Sequence, residues 1–472
     1  MLSLLCARGS LFHTAAGITY ADLIIDGHRE TWAIRSPQFR TWLRRCYFEE
    51  TGCAANAALL GSALDLLEAK AQFDAPERVV NLRVAEHQGS IYLDLADQAW
   101  QSIRVGSDGW ELVNAPPVRF RRAPGMLPIV APQRSGSIEK LLPFLNLASH
   151  NDFVLLVAWL LAALRAQGPY PLLAIVGEQG SAKTTLTRVL RALVDPNVAP
   201  VRSLSRDERE LMITANNGHV LAFDNLSGLQ AWLSDALCRL ASGGSFAVRK
   251  LYTNDEEILF QAARPMILNG IEEVISRPDL ADRAVFLSLP CVADENRRPE
   301  SEFWREFELA RPSIMGALLD AVSYGLRALP SVCLSSLPRM ADFAVWASAC
   351  EGALWPRGTF MRAFKENRRS AIEDVIDADP LAAYVRQIMG QRSSWTGTAS
   401  DLLLAAEGCG QTSSGWGSAT SWPRTPRALA GRLRRCQAFL RAVGIKIAFS
   451  RAGHAGSRTI TICSTATEKE AA

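Results

Sequence analysis

Residues 171–194, PLLAIVGEQGSAKTTLTRVLRALV, leave this chain little choice of local fold. A short apolar run, Leu172-Leu173-Ala174-Ile175-Val176, stops at Gly177-Glu178-Gln179-Gly180-Ser181-Ala182-Lys183-Thr184. Leu186, Val189, Leu190, Leu193 and Val194 then recur at i, i+3, i+4, i+7 and i+8, one face of a helix. Buried strand, glycine-bearing loop and amphipathic helix in succession are the setting of a phosphate-binding loop. Loop amides and the helix N-terminus donate to phosphate oxygens, and the helix dipole adds positive potential. Gly177 to Thr185 is thus the expected nucleotide segment, with Lys183 reaching the β- and γ-phosphates and the Thr184 hydroxyl on Mg²⁺. Ala182 stands where G-x-x-x-x-G-K-[ST] has its second glycine, which is tolerable if residue 182 already has the angles of a first helical turn. The plainer alternative is an ordinary strand-to-helix turn with a surface lysine; the combined spacing favours the nucleotide site.

A chain of 472 residues has room for two to four domains, and its 48% hydrophobic and 21% charged residues suit a globular protein. The net charge of +3 is too small to argue nucleic-acid binding from the total, so that case must rest on local patches. Ten cysteines without a C-x-x-C pair, and histidines without H-x₃₋₅-H spacing, argue against zinc and for reduced thiols in the cytoplasm. MLSLLCARGS lacks the charged and apolar regions of a signal peptide. The most apolar stretch, Phe153 to Ala166, is shorter than the ~20 residues that cross a bilayer and reads as a buried helix, so no membrane partner is expected.

Residues 1–125 read as an α+β domain. Its first 35 residues carry little signal, and Ser36-Pro37 opens a helix with Phe39, Trp42, Leu43 and Tyr47, and with Arg40, Arg44 and Arg45 on its other sides. A second helix is expected over Ala54 to Phe73, followed by strands at Val79–Val84, Ile91–Leu95, Ile103–Val105 and Trp110–Val113. Arg119-Phe120-Arg121-Arg122 is either a phosphate contact or, more simply, a solvated edge. Residues 126–169 form a Pro/Gly-bearing connector and two helices, Ile138–Ala148 and Asp152–Gln167.

Beyond the loop's helix, the apolar run Val220-Leu221-Ala222-Phe223 ends in Asp224-Asn225. A carboxylate about forty residues after a phosphate loop can hold Mg²⁺ through water, opposite Lys183 and Thr184. Asn225 is anomalous, because an amide can orient an attacking water but cannot take its proton. Helix, Gly243-Gly244, strand, turn, strand follow through Phe260; then Met266-Ile267-Leu268 ends in Asn269, where a polar side chain can touch a phosphate or the attacking water.

The order of these features, Gly177–Thr184, Asp224, the Gly-Gly and Arg-x-Leu-Tyr of Leu240–Tyr252, Asn269 and Arg283, resembles helicase superfamily 3 over roughly residues 170–290. The likeness is to phage, plasmid and poxvirus primase-helicases, a branch of the AAA+ ATPases. It implies ATP and Mg²⁺ as cofactors, Asp224 as the second acidic motif, Asn269 as sensor 1, and Arg283, with Arg277 as rival, as an arginine finger inserted into a neighbouring subunit. A finger acting in trans implies a homo-oligomeric ring, read as a hexamer, and a separately encoded primase as a possible partner. Two departures stand out. Asn225 replaces the second acid, and the turn Thr253–Glu257 is acidic where these helicases carry a DNA-contacting hairpin; either Arg249 and Lys250 hold DNA from the hairpin stem, the preferred reading, or the ring does not grip DNA in the family manner.

The core is thus expected over 170–300 and a helical lid over 301–392, with Arg339 either a sensor-2 residue or a plain surface arginine. After the Gly/Ser/Thr-rich stretch 408–422, residues 408–467 contain no acid. Thr425, Pro426 and Gly444 bound a helix with an apolar stripe (Leu429, Leu433, Cys436, Leu440) and outward arginines, among them Arg432, Arg434 and Arg435. Two alternating strands follow. Residues 393–465 therefore read as a basic winged-helix-like domain before a tail, 466–472, suited to DNA phosphates or, alternatively, to an acidic protein surface. The expected protein is an α/β P-loop ATPase that moves on or opens DNA for a mobile element; the alternative is a slow nucleotide-dependent switch or scaffold.

Overall fold

The computed structural model describes residues 9–205, 207–226, 228–249, 257–270, 278–408, 422–452 and 457–464. The chain divides into two compact units, Met1–Val274 with Leu287–Ala363, and Ile275–Phe286 with Phe364–Ala472. The stretch read as one lid, 301–392, is shared between them.

The first unit starts with an antiparallel sheet of β1 (Gly9–His13), β2 (Thr19–Ile25) and β3 (His28–Ala33), inside the stretch of low sequence signal. Asp26 and Gly27 both have positive φ, 49° and 84°, and close the β2–β3 hairpin as an Asp-Gly pair does in a type I′ turn. Helix α1 (Pro37–Thr51) begins at Ser36, whose hydroxyl accepts the Phe39 amide at 3.2 Å, and stops at Gly52 with φ 67°. Helix α2 (Ala57–Phe73) starts three residues later than its apolar pattern, because Asn56 caps it through the Leu59 amide at 2.8 Å. Phe39, Leu43, Leu60, Leu64 and Leu67 pack on Leu23 and Ile34. A four-stranded antiparallel meander follows: β4 (Val84–His87), β5 (Ser90–Asp94), β6 (Ser102–Gly106) and β7 (Gly109–Val113). The strand expected at Val79–Val84 shrinks to its last residue. The segment before β4 forms only an isolated bridge, Asn81 to Phe120. The basic cluster after the meander is neither a phosphate site nor a solvated edge: Arg119 binds Asp22 at 2.7 Å, Arg122 binds Asp94 at 2.9 Å, and Arg121 reaches the Asn217 amide oxygen at 3.5 Å.

The helix expected over 138–148 is a 3₁₀ turn, Ile138–Phe144, cut short at Pro143, which has no amide to donate. Helix α3 (His150–Ala163) is buried throughout from Phe153 onward, and Trp159 donates its indole N–H to Pro171 O at 2.9 Å. Among the described residues no helix is long and apolar enough to cross a membrane. Then come β8 (Leu172–Val176), α4 (Lys183–Val194), α5 (Glu208–Asn217), β9 (Leu221–Leu226) and α6 (Ala231–Ser242). Strands β10 (Ser245–Arg249) and β11 (Glu257–Gln261) pair as an antiparallel hairpin. Strand β12 (Met266–Gly270) follows; short helix α7 (Pro278–Ala281) is counted with the second unit, and β13 (Ala284–Ser288) is divided at Leu287. The central sheet has the order β13-β8-β12-β9, with β12 parallel to both β8 and β9. The protein is therefore mixed α/β with a parallel sheet. The stripe Leu186, Val189, Leu190, Leu193 and Val194 of α4 is buried, as its spacing predicts. Helices α8 (Glu300–Ala328) and α9 (Ala341–Glu351) pack together, and Trp346 of α9 donates to Leu161 O of α3 at 2.9 Å.

A buried ion cluster joins the meander to the end of α4. Arg83, 0% exposed, donates to Asp195 at 3.0 Å, to Asp94 O at 3.0 Å and to Leu127 O at 3.0 Å. Asp195 also lies 3.7 Å from Arg191 and accepts the amides of His219 and Val220 at 3.0 and 3.1 Å. Burial alone would raise the Asp195 carboxyl; the two guanidinium groups outweigh it and hold it below the usual carboxylate range.

The second unit contains α10 (Thr359–Ala378) from Phe364 onward, α11 (Pro380–Gln391), α12 (Ala399–Gly408) and α13 (Pro426–Ala442). Its sheet has the order β14-β16-β15, from β14 (Ser394–Gly397), β15 (Ile445–Ala452) and β16 (Ser457–Ser464). Thr425 caps α13 through the Ala428 amide at 3.2 Å, and Gly444 has φ 85° just beyond its end. Leu402, Leu429, Leu433, Leu440, Ile460 and Ile462 share one core. Strand β14 is an addition that the sequence pattern did not announce.

Candidate functional site

The loop between β8 and α4 is shaped by its two glycines. Gly177 has φ 156°, and a Cβ there would meet Leu289 O and Ser181 Oγ, both at 2.7 Å; Gly180 has φ 85°. Buried Ser181 ties the loop to itself, donating its hydroxyl to Glu178 O at 2.8 Å. Asn146, ahead of α3, donates to Ser181 O at 3.2 Å and to Pro290 O at 2.6 Å, pinning the loop from outside. Glu178, Gln179 and Gly180 are exposed. The Cys291 thiol donates to the Glu178 carboxylate at 3.3 Å, and that hydrogen bond holds the thiol above its ordinary pKa.

Ala182 differs from the expectation. It is not in the first helical turn but sits before it, as the N-cap of α4, at φ 64° and ψ 26° in the left-handed region. The second glycine of the motif therefore has a backbone reason to exist here, and this chain places alanine in that conformation instead.

Lys183 folds back into the loop. Its ammonium donates to Gly177 O and Glu178 O, both at 2.7 Å, and to Ser181 Oγ at 3.2 Å. Three oxygens thus gather around one cation at the helix N-terminus. Thr184 donates its hydroxyl to Asp224 Oδ2 at 2.8 Å, joining the start of α4 to the end of β9. Thr185, half-buried, completes the first turn. A hydroxyl and a carboxylate in contact are donors suited to a hard divalent cation. Groups of three or more His, Cys, Asp or Glu side chains able to hold a metal are absent among the described residues.

The end of β9 carries a bulge. Leu268 of β12 faces Phe223 and Gly270 faces Leu226, so Asp224 and Asn225 together oppose Asn269. Asn225 takes φ 58°, a left-handed conformation that asparagine tolerates better than most residues. Its side chain is exposed, while its amide donates to Asp224 Oδ1 at 2.7 Å and to Asn269 Oδ1 at 3.1 Å. Asn269 is 0% exposed, so it does not face a phosphate or a water as expected. Its amide is committed at both ends: Oδ1 to the bulge, and Nδ2 donating to Thr187 Oγ1 at 3.1 Å. Thr187 in turn donates to Lys183 O at 3.0 Å. Thr187, one turn after Lys183, is the residue that sequence reasoning missed; a polar residue interrupting the buried face of α4 was its signal.

The remaining candidates are placed as follows. Arg283 lies in the second unit and donates to Asp279 O, one helical turn back, at 2.6 Å. Arg339 is exposed ahead of α9. Arg277, Lys250 and the hairpin tip, apart from Glu257, lie outside the described residues, and Arg249 is described only as the last residue of β10. Arg432 is not an outward contact: it binds Asp379, the N-cap of α11, at 2.9 Å. Arg434 lies over the Phe449 ring at 4.4 Å, and Arg435 is exposed with Arg427 and Arg441. Arg297 was not anticipated; its guanidinium lies 3.7 Å from where a Cβ on Gly180 would be, over the loop.

Comparison with solved structures gives distant likenesses. The active helicase Cch of SCCmec type IV is 9% identical with a TM-score of 0.49, covering 98% of this chain and 93% of that one. The apo C-terminal region of NrS-1, in its A form, is 11% identical with a TM-score of 0.42, covering 98% of each chain. No curated protein matches. Residues 381–471 match the AICE RepA C-terminal domain. Residues 138–377, more than half the chain, match the main family model, and the chain belongs to the actinomycete integrative conjugative element replication proteins.

Proposed function

We propose that this replication protein is an ATP-driven motor on DNA, a P-loop ATPase of the AAA+ branch and helicase superfamily 3 kind. The observation that carries the reading is the contact set at the head of α4: Lys183 ringed by loop oxygens, with Thr184 held on Asp224. Gly177 and Gly180 present loop backbone without a Cβ at either position, and the Lys183 ammonium exchanges its loop oxygens for those of the β- and γ-phosphates. Mg²⁺ fits the Thr184 hydroxyl and Asp224 carboxylate, and when bound supplies neutralising charge to the phosphate oxygens. Asn225, at the bulge, orients the attacking water through its exposed amide. Asn269 and Thr187 fix the bulge against α4 and act as positioning residues. Arg283 is assigned to the site of a neighbouring copy in a ring, a hexamer by the family resemblance, and Arg339 to the γ-phosphate. The second unit serves as a basic winged helix, with Arg434 and Arg435 of α13 on DNA; Arg249, the last residue of β10 in the first unit, and Lys250 are assigned to DNA as well. A separately encoded primase is the natural partner for a helicase of this kind, in the cytoplasm.

A second reading, a slow nucleotide-dependent switch or scaffold, is favoured by Asn225, whose amide cannot accept a proton. ATP turnover with and without DNA decides between them. A motor shows DNA-stimulated turnover that Lys183→Ala abolishes; an ATPase rate indifferent to DNA refutes the motor. A large gain in turnover for Asn225→Glu marks the wild type as built to be slow.

A further inference from the structure

The ATPase reading leaves one strongly charged surface unused, the outer face of α1. Its inner face is anchored by Phe39, Leu43 and Cys46. On the outer face, Arg40, Arg44 and Phe48 follow one another at four-residue intervals, so they form a single strip along the helix with about 6 Å between neighbours. Arg45, exposed beside this strip, pairs with Glu49 at 2.7 Å, an exposed ion pair of little strength. The guanidinium groups of Arg40 and Arg44 have no ion-pair or hydrogen-bond partner among the described residues. Glu49 and Glu50 lie about 100° and 200° further around the helix than Phe48. Phe48, 58% exposed, is a large aromatic with no buried role.

Two cations one turn apart, without partners among the described residues and ending at an exposed aromatic, suit a flexible nucleic acid whose phosphates meet the arginines and whose base stacks on the ring. The ring selects the unpaired form, because a base within a duplex already has both faces stacked. One phenyl ring is too little apolar surface to insert into a lipid headgroup layer. We propose that the outer face of α1 is a second DNA site, specific for single strands and separate from the basic helix of the C-terminal unit. In a replication protein such a site holds one strand after separation. It rests on the N-terminal unit alone and needs no nucleotide.

The test uses the full chain without nucleotide, with labelled oligo-dT, a hairpin duplex and anionic phosphatidylserine vesicles as probes, across a range of salt. Arg40→Gln with Arg44→Gln should flatten the slope of log affinity against log salt for oligo-dT by about 1.4, at 0.7 per phosphate. Phe48→Ala should weaken oligo-dT binding at least about fivefold, with Phe48→Tyr restoring it and the hairpin duplex unaffected. All three positions are on the exposed face, so the variants fold as the parent does. Unchanged affinity and slope in both variants overturn the proposal. So does an equal loss for duplex and single strand, or a loss confined to vesicles. ATP turnover is not read, so failure here is distinguishable from failure of the motor reading.

Discussion

Replacing Ala182 with glycine tests the account of the loop by the sign of its effect. Ala182 is held at φ 64° and ψ 26°. A left-handed conformation costs a residue with a Cβ about 1–2 kcal/mol, and glycine removes that penalty. Against this, glycine gains freedom in the unfolded chain, which offsets about 0.4–1 kcal/mol. Residue 182 is also an N-cap without a side-chain hydrogen bond, where glycine is favoured over alanine. The net expectation is a gain of about 1 kcal/mol, or a rise of about 1–2 °C in Tm for a unit of this size. Thermal unfolding followed by circular dichroism measures it. If residue 182 instead lay in the first turn of α4 with helical angles, the same change would destabilise by about 1 kcal/mol. A fall in Tm for Ala182→Gly therefore refutes the geometry. Ala182→Val, which brings a branched side chain into the left-handed region, should fall below wild type in the same experiment.

Asn269→Ala removes two hydrogen bonds, one from the Asn225 backbone amide and one to the Thr187 hydroxyl, each of which keeps another partner; at about 0.5–1.5 kcal/mol per bond it should cost about 1–3 kcal/mol in urea unfolding. Combined with Thr187→Val in a double-mutant cycle, it should show a coupling of at least about 0.5 kcal/mol; strict additivity would remove Thr187 from the network. His219, whose ring nitrogen lies 2.7 Å from Ala163 O, is pushed down to about 4 by burial despite the pull of Asp195. Its folded pKa lies below the unfolded value near 6.5, so its contribution is complete above that pH. The loss develops as pH falls from about 6.5 to about 4, amounting to roughly 3 kcal/mol. Asp195, also lowered, is lost in the same direction at more acid pH. Urea midpoints at pH 7 and pH 4.5 should differ more in wild type than in His219→Gln, and equal differences in the two would refute the assignment.

What the sequence announced was periodic or capped. The α4 stripe, the Thr425 and Ser36 caps and the β10–β11 hairpin were all visible because each is written in neighbouring residues. The Asp26-Gly27 pair that closes the β2–β3 hairpin is an equally local signal, and the reading of residues 1–35 as low in signal missed it. Pro143 should have ended the helix expected through Ala148. What local pattern cannot carry is long-range commitment. Arg432 has the appearance of an outward arginine until Asp379, fifty-three positions earlier, is brought to 2.9 Å. Asn269 occupies the strand end that its spacing from the loop suggested, but whether its amide faces a ligand or the interior is decided by Thr187 and by the bulge at Asn225. That bulge follows from pairing register, which a single strand's sequence does not specify.

The ion cluster beneath α4 has a consequence for how this chain can be taken apart. Residues 138–377 match the family model, and Asp195 lies within them, but Arg83 lies outside. The matched segment therefore carries a buried acid whose nearest counter-charge is contributed by the preceding meander. Removing one partner of a buried ion pair typically costs about 3–5 kcal/mol. A recombination event that exchanged the N-terminal module for another would inherit that deficit at the base of the helix bearing Lys183, unless the newcomer brought an arginine to the same place. In this chain the unit that can be exchanged intact is longer than residues 138–377, because it includes Arg83.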